Sequence, residues 1–365
     1  MNAVLDKPTT PGSLQNPAGP DFNVEQVNPL SVPAWDELVR SHPGGQFFHS
    51  QAWLQVLHET YGFEPLAFWV RSDSQIRALV VLMEARAGLW GRRGVSLPFS
   101  DECPPLETPE APLGPLVECV LREARRRGWA SVEYRGGGTA LDDAPPSLSF
   151  LTHELDLRPG VEGLWSGLDD SVRRAIRKAE RAGLALERHH DESGFREYYA
   201  LHCETRQRHG LPPQPWVFFR AIHRHILAQD KGDLFLARAG GRAVAGAVFF
   251  RFGGRVFYKF GASAAAFQDL RPNNAVMWAA LKNYAQAGWH SLHWGRTSVG
   301  QEGLRRYKLG WGTREEKLNY FKYDVPRHGF VLERDHTEGW HTVLFRKMPI
   351  SLLQWWGELL YPYLA

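Results

Sequence analysis

The sequence predicts an α/β protein made of two tandem copies of one unit, each a mixed, twisted sheet flanked by helices. Three observations carry that prediction. A phrase recurs: GWASVEYR begins at Gly128 and GWHSLHWGR at Gly288, 160 residues later. In both places it joins a helical pattern to a strand-like one. Upstream the echo continues, since Leu66 and Leu234 lie 168 residues apart in matching strand–turn–strand patterns. Length agrees, because 365 residues suggest two domains at roughly 150 residues each.

In the first copy, VPAWDELVRS and FFHSQAWLQVLHETYG have helical period. EPLAFWV, the polar turn RSDSQ and IRALVVLMEA read as strand, tight turn, strand. GVSLPFS from Gly94 is a third strand, APLGPLVECVLREARRRG a helix and ASVEYR a fourth strand. The second copy opens on three helices, LWSGLDDSVRRAIRKAERAG, ESGFREYYALHCETRQRHG and PQPWVFFRAIHRHILAQ. GDLFLAR, the turn AGGR and AVAGAVFFRF repeat the strand pair, and RVFYKFGAS is the third strand. NNAVMWAALKNYAQAG is a helix that Gly288 stops, followed by the strand HSLHWGR. A helix between two neighbouring strands predicts a parallel crossover in each copy. A short helix near EGLRRYKLGWG and the strand KLNYFKYD close the second unit. The expected boundaries are a disordered leader at 1–25, units at 26–158 and 159–325, and a tail at 326–365 with an aromatic amphipathic helix.

Composition narrows function by exclusion. With 43 Lys+Arg against 40 Asp+Glu, the net charge of +3 makes no bulk case for nucleic acid or membrane. No run of about 18 apolar residues is present, so no span is expected. The leader lacks the apolar core of a signal peptide. Three scattered cysteines suit a reducing cytosol, and neither they nor the histidines have metal-ligand spacing.

Several ordered stretches resemble the FemAB-like branch of the GNAT acyltransferase superfamily over about residues 30–324. They are FFHSQAW, GLWGRRGVSLPFSDECPPL, SVRRAIRKAERAGL, NNAVMWAAL, HWGRTSVGQEGLRRYKLGWG and LNYFKY. The second half also resembles the acetyltransferase-like domain of FemAB-related proteins in exopolysaccharide and exosortase gene clusters. The resemblance implies a tandem pair of GNAT-like domains. It implies transfer of an acyl or aminoacyl group to an amine of an envelope, peptidoglycan or exopolysaccharide precursor. Acyl-CoA or aminoacyl-tRNA would serve as co-substrate, with no cofactor held permanently. It places the enzyme in the cytoplasm, at the inner membrane if the tail helix binds there.

Such chemistry needs a neutral amine, donors for a developing oxyanion, and cations or helix N-termini for phosphate. Arg173, Arg174, Arg177 and Lys178 form a basic ridge suited to phosphate, with a solvated helix face as the alternative. Asn273 and Asn274 open the second crossover helix, as anion ligands or as its cap; the Gly-rich phosphate loop of CoA-using relatives is missing there. Tyr258 and Lys259 point to opposite faces of RVFYKFGAS, Tyr258 as an acid or hydrogen-bond donor and Lys259 as a ligand for an acidic acceptor. In SLHWGRT, alternation sets His293 and Gly295 on one face and Trp294 and Arg296 on the other. His293 replaces an aspartate common in the family, as a base or as a buried, hydrogen-bonded histidine. Arg296, Lys308 and Trp311 are expected ligand anchors, Glu302 a weaker base, and Arg206 an acceptor contact. The tail helix fits a membrane interface, a docked cover or a dimer contact. A rival function is a catalytically silent binding protein of a polysaccharide-secretion system, and tRNA remains a candidate partner for the ridge.

Overall fold

The computed structural model describes residues 23–72, 75–88, 91–333 and 340–364. In the first unit β1 (Glu25–Val27) precedes α1 (Trp35–Ser41) and α2 (Gln51–Tyr61). Then follow β2 (Glu64–Ser72), β3 (Gln75–Ala87), β4 (Gly91–Val95), a short β5 (Leu106–Glu107), α3 (Gly114–Arg127), β6 (Ser131–Arg135) and β7 (Leu148–Asp156). Two helices, α4 (Gly160–Gly167) and α5 (Asp170–Arg181), lead into the second unit. It repeats the order as β8 (Ala185–His189), α6 (Glu192–Arg208), α7 (Trp216–Ile222), β9 (Gly232–Ala239), β10 (Arg242–Phe252), β11 (Arg255–Ser263), α8 (Pro272–Gln286) and β12 (Ser291–Ser298). After α9 (Glu302–Leu309) come β13 (Arg314–Asp324), β14 (Gly329–Phe330), α10 (Trp340–Lys347) and α11 (Ile350–Leu360).

The described strands make one sheet in the order β1-β2-β3-β4-β6-β13-β7-β12-β11-β10-β9-β8. The duplication is plain in it: β1 to β4, β6 and β7 correspond in order and partner to β8 to β11, β12 and β13. Both crossovers are parallel, β4 with β6 through α3 and β11 with β12 through α8. Each unit gives its last strand to the other. β7 pairs antiparallel with β12, β13 pairs antiparallel with β6, and the two exchanged strands pair with each other. The sheet therefore runs unbroken across residue 158.

Helices cover both faces because each has one apolar stripe. In α5 the buried Val172, Ile176 and Ala179 recur at helical spacing, opposite the basic residues. On one face α1, α2, α6 and α7 share a core fed by both units, where the Phe47 and Phe250 rings stack at 4.5 Å. The other face splits into a core under α3 and a core under α4, α5 and α8.

Four expectations need correction. The expected helix over 164–183 is two helices, broken where the Asp169 amide bonds the Gly310 carbonyl at 2.9 Å. The third strand of the first unit ends at Val95, and Leu97 and Phe99 take positive φ of 53° and 59° in the loop beyond it. β7 was not expected at all. The disordered leader falls on residues 1–22, outside the described residues, but Glu25 already pairs in β1.

Candidate functional site

The site grows from the place where β11 and β12 part. Their parallel pairing covers only Arg255–Phe257 against Ser291–His293. Beyond it β12 bulges at Gly295, whose φ is +69°, and turns toward β7. The wedge left between the strands opens into a cavity of about 280 Å³. Tyr258, Gly261 and Ser263 of β11 line it, with Thr205, Arg208 and His209 from the end of α6 and Tyr307 of α9. Gly261 is required there, because a Cβ would stand 1.9 Å from the Tyr258 hydroxyl.

Asn273 and Tyr307 also line a larger groove of about 750 Å³ that continues outward between α5, α8 and α9. Arg174 and Lys178 reach it from α5, Arg271 from the residue before α8, and Arg306 from α9. None of these four makes an ion pair among the described residues, and the groove lining holds one carboxylate, Asp169. The first turn of α8 has no acidic residue, so its positive end faces the groove uncompensated. Arg271 itself caps the helix in a left-handed conformation with φ of 58°. Asn273 is therefore not the cap; it lies inside the first turn and its Nδ2 donates to Ser263 Oγ at 3.2 Å. Four cations and a helix N-terminus around one groove give it a positive field of the kind that attracts anions.

The basic ridge divides. Arg174 and Lys178 face the groove with Asn273 and Asn274. Arg173 instead ties α4 to α5, donating to the Trp165 and Ser166 carbonyls at 3.3 and 3.2 Å and pairing with Asp170 at 2.6 Å. Arg177 lies 5.4 Å over the Trp165 ring, against a separate shallow cavity.

Other expected site residues are structural. Trp311 is fully buried, its ring 5.5 Å from Trp294. Lys308 is 3% exposed, and its Nζ donates to the carbonyls of Gly295 and Arg296 at 2.8 and 3.2 Å. Burial lowers its pKa to about 8. Lys308 thus holds the β12 bulge and leaves no hand for a ligand. Arg206 bonds the Pro212 carbonyl at 3.2 Å and the Tyr361 hydroxyl at 2.9 Å, anchoring the tail. Glu302 sits exposed on the first turn of α9, 3.8 Å from Arg305, and outside the groove lining.

His293, Lys259 and Arg296 meet on the opposite face of the sheet, at the seam. Lys259 pairs with Asp101 of the first unit at 3.1 Å. Burial works to raise the Asp101 carboxyl, but Lys259, Arg296 and His293 outweigh it and hold it below its ordinary value. The Gly295 amide donates to His293 Nδ1 at 3.1 Å, which leaves Nε2 toward Thr152 Oγ1. His293 is 3% exposed and belongs to this hydrogen-bonded seam. Alternation placed Arg296 with Trp294, but the bulge adds a residue and moves Arg296 to the side of His293. Its guanidinium rests 4.3 Å from the Phe150 ring centroid and 5.1 Å from that of Tyr320. It is exposed and without an ion pair among the described residues.

Sequence reasoning missed Arg271, Arg306, Tyr307 and Asp101. The RRYK run was the available signal for Arg306 and Tyr307; nothing local marked Asp101.

The fold is that of a tandem pair of GNAT-like units. Residues 168–318 match the family model described as an acetyltransferase (GNAT) domain, and the chain has the FemAB-like form of that superfamily's fold. The solved structure of FemX is similar at 15% identity and a TM-score of 0.63, over 81% of this chain and 96% of that one. L-PGS from Bacillus licheniformis is similar at 14% identity and a TM-score of 0.52, over 80% of this chain and 92% of that one. A tandem GNAT protein from the clavulanic acid biosynthesis pathway is similar at 11% identity and a TM-score of 0.51, over 83% and 98%. No curated protein matches the chain.

Proposed function

We propose that this protein is an N-acyltransferase that takes an acyl or aminoacyl group from a phosphate-bearing donor and passes it to an amine of an envelope or exopolysaccharide precursor. The observation that carries the reading is the convergence of Arg174, Lys178, Arg271 and Arg306 on the N-terminus of α8, in a groove that leads into the β11–β12 wedge. Acyl-CoA and aminoacyl-tRNA both present phosphates a short reach from the acyl carbon, so one groove serves either chemistry. The tandem GNAT protein of the clavulanic acid pathway was solved without AcCoA, and another solved neighbour is the C-terminal domain of a putative lysylphosphatidylglycerol synthetase; a donor of either kind is in keeping with these relatives.

The wedge supplies the rest. β11 amides that would have bonded β12 lose that partner beyond Phe257 and face the cavity, where they meet an oxyanion. Burial first, then Arg208, Arg206 and Arg346, lowers the His209 pKa. The imidazole is thus neutral near pH 7 and able to take the proton of the attacking amine. Burial raises the Tyr307 pKa, which keeps its hydroxyl protonated and able to donate to the leaving group at the junction of cavity and groove. Calorimetric titration with acetyl-CoA and with aminoacyl-tRNA, followed by transfer assays with labelled donor, tests the reading. Saturable binding lost in Arg306→Ala is expected; binding of neither donor would sink it.

A further inference from the structure

We propose that α10 and α11 form a surface that seats the protein on an anionic phospholipid bilayer, with the inner cavity beside the contact. This goes beyond the donor groove and does not depend on it. α11 is docked by one face, where Leu353 and Gly357 are buried; a Cβ on Gly357 would fall 2.0 Å from the Pro213 carbonyl. That orientation turns Leu352, Trp355 and Leu359 outward at 43%, 53% and 48% exposure. α10 adds Val343 and Leu344 at 59% and 53%, and Leu364 follows at 56%. Six of the twelve exposed large apolar side chains among the described residues thus fall within 343–364; of the other six, Val299, Leu304 and Leu309 lie on or just before α9 and the rest lie apart. The Phe345 and Trp356 rings, 6.5 Å apart, join the two helices into one surface. Among the described residues no helix is long and apolar enough to cross a membrane, and the contact proposed is an interfacial one.

Charge selects the occupant. Arg346 and Lys347 end α10. Arg86 lies 5.6 Å over the Tyr363 ring, Arg93 donates to the Tyr363 carbonyl at 3.5 Å, and Arg206 holds Tyr361. Within 340–364 itself, Arg346 and Lys347 stand against one carboxylate, Glu358. A basic rim around exposed Leu and Trp complements a bilayer with anionic headgroups. A second copy of the chain would set the same cations against each other across a two-fold contact.

The surface is continuous with the site. Gly210, at the end of α6, has no room for a Cβ because Thr342 of α10 lies against it. The residues just before it, Arg208 and His209, line the inner cavity, and Arg346 is among the charges acting on His209.

Co-sedimentation of the full chain with vesicles of phosphatidylcholine alone, and of phosphatidylcholine containing phosphatidylglycerol, tests the proposal. The protein should partition onto the second and release in high salt. Neutralising Arg346 or Lys347 should lower partition about fivefold each. Leu352→Ser with Trp355→Ser should lower it at least tenfold, with the melting temperature and donor binding unchanged. Failure to sediment with either vesicle would overturn the proposal, as would equal partition onto both. So would light scattering that shows a concentration-dependent dimer lost in the double variant. Donor titration is read separately, so failure here leaves the transferase reading standing.

Discussion

Arg306 and Arg173 are both arginines near the groove, and the structure gives them opposite fates. Arg306 lines the groove without an ion pair among the described residues. Arg306→Ala should therefore weaken donor binding roughly thirtyfold, the loss of one charge-assisted contact of about 2 kcal/mol, with little change in melting temperature. Arg173 ties α4 to α5, so Arg173→Ala should lower the denaturation midpoint and leave donor affinity within about threefold. Titration and chemical denaturation of the two variants would separate these outcomes, and a reversal would contradict the geometry. Lys308 gives a third residue-level test, through pH. Its folded pKa is lowered to about 8 from the ordinary lysine value of 10.5. Below about pH 8 both folded and unfolded chains bind the proton, and the full cost of the buried ammonium is present. Between about 8 and 10.5 the unfolded chain binds more protons, so this group's contribution to stability rises with pH, by about 3 kcal/mol in total. Unfolding free energies of the native chain and Lys308→Met, compared across that window, should diverge in favour of the native chain. A constant difference would mean that Lys308 is not buried as a cation.

At the scale of the element, β12 decides which side chains meet. Regular alternation would have put Arg296 against the core with Trp294. Gly295, at φ +69°, adds the residue that swings Arg296 onto the seam. Its Cβ position is free of hard clashes, with Asp101 atoms no nearer than 3.4 Å. The cost of Gly295→Ala is therefore the left-handed backbone alone, about 1–2 kcal/mol. Denaturant titration should show that loss, and a neutral substitution would mean that the bulge relaxes. A glycine inside a strand pattern is itself a bulge signal, so this part of the site was legible in SLHWGRT, though alternation alone misreads it. β11 and α8 were legible for simpler reasons: Gly253 and Gly254 mark the turn into β11, and α8 buries apolar residues from Ala275 to Tyr284 before Gly288 stops it. β7 was not, because Thr152, His153 and Glu154 give it a polar stretch that is satisfied only in the assembled sheet, by β12, by β13 and by Arg255 of β11. The anion groove was half legible. Arg174 and Lys178 stand out in a charge run, whereas Arg271 and Arg306 join them only through the packing of three helices.

At the scale of the whole molecule, the repeat predicts two units and the structure knits them by exchanging their last strands. A unit cut out at 23–158 would carry β7 with neither of its partners and would leave β6 without β13. It would also lose the ring contacts that Phe47 and Trp53 make with Phe250 and Phe218, in a core shared by both units. An unpaired strand edge and an exposed aromatic face are aggregation hazards. The isolated first half should therefore be insoluble or loosely packed, with poor dispersion in a proton NMR spectrum. Splitting the chain between residues 158 and 159 and expressing both pieces together should instead restore a soluble complex that binds the same donor, because the exchanged strands then find their partners in trans. The intact chain should unfold in one transition by tryptophan fluorescence and by circular dichroism, at coincident denaturant midpoints. Two separated transitions, or a well-folded first half alone, would mean that the seam with its Asp101–Lys259 pair is an interface between independent domains rather than the middle of one sheet. Arg296 would then lose the fixed backing of Phe150 and Tyr320.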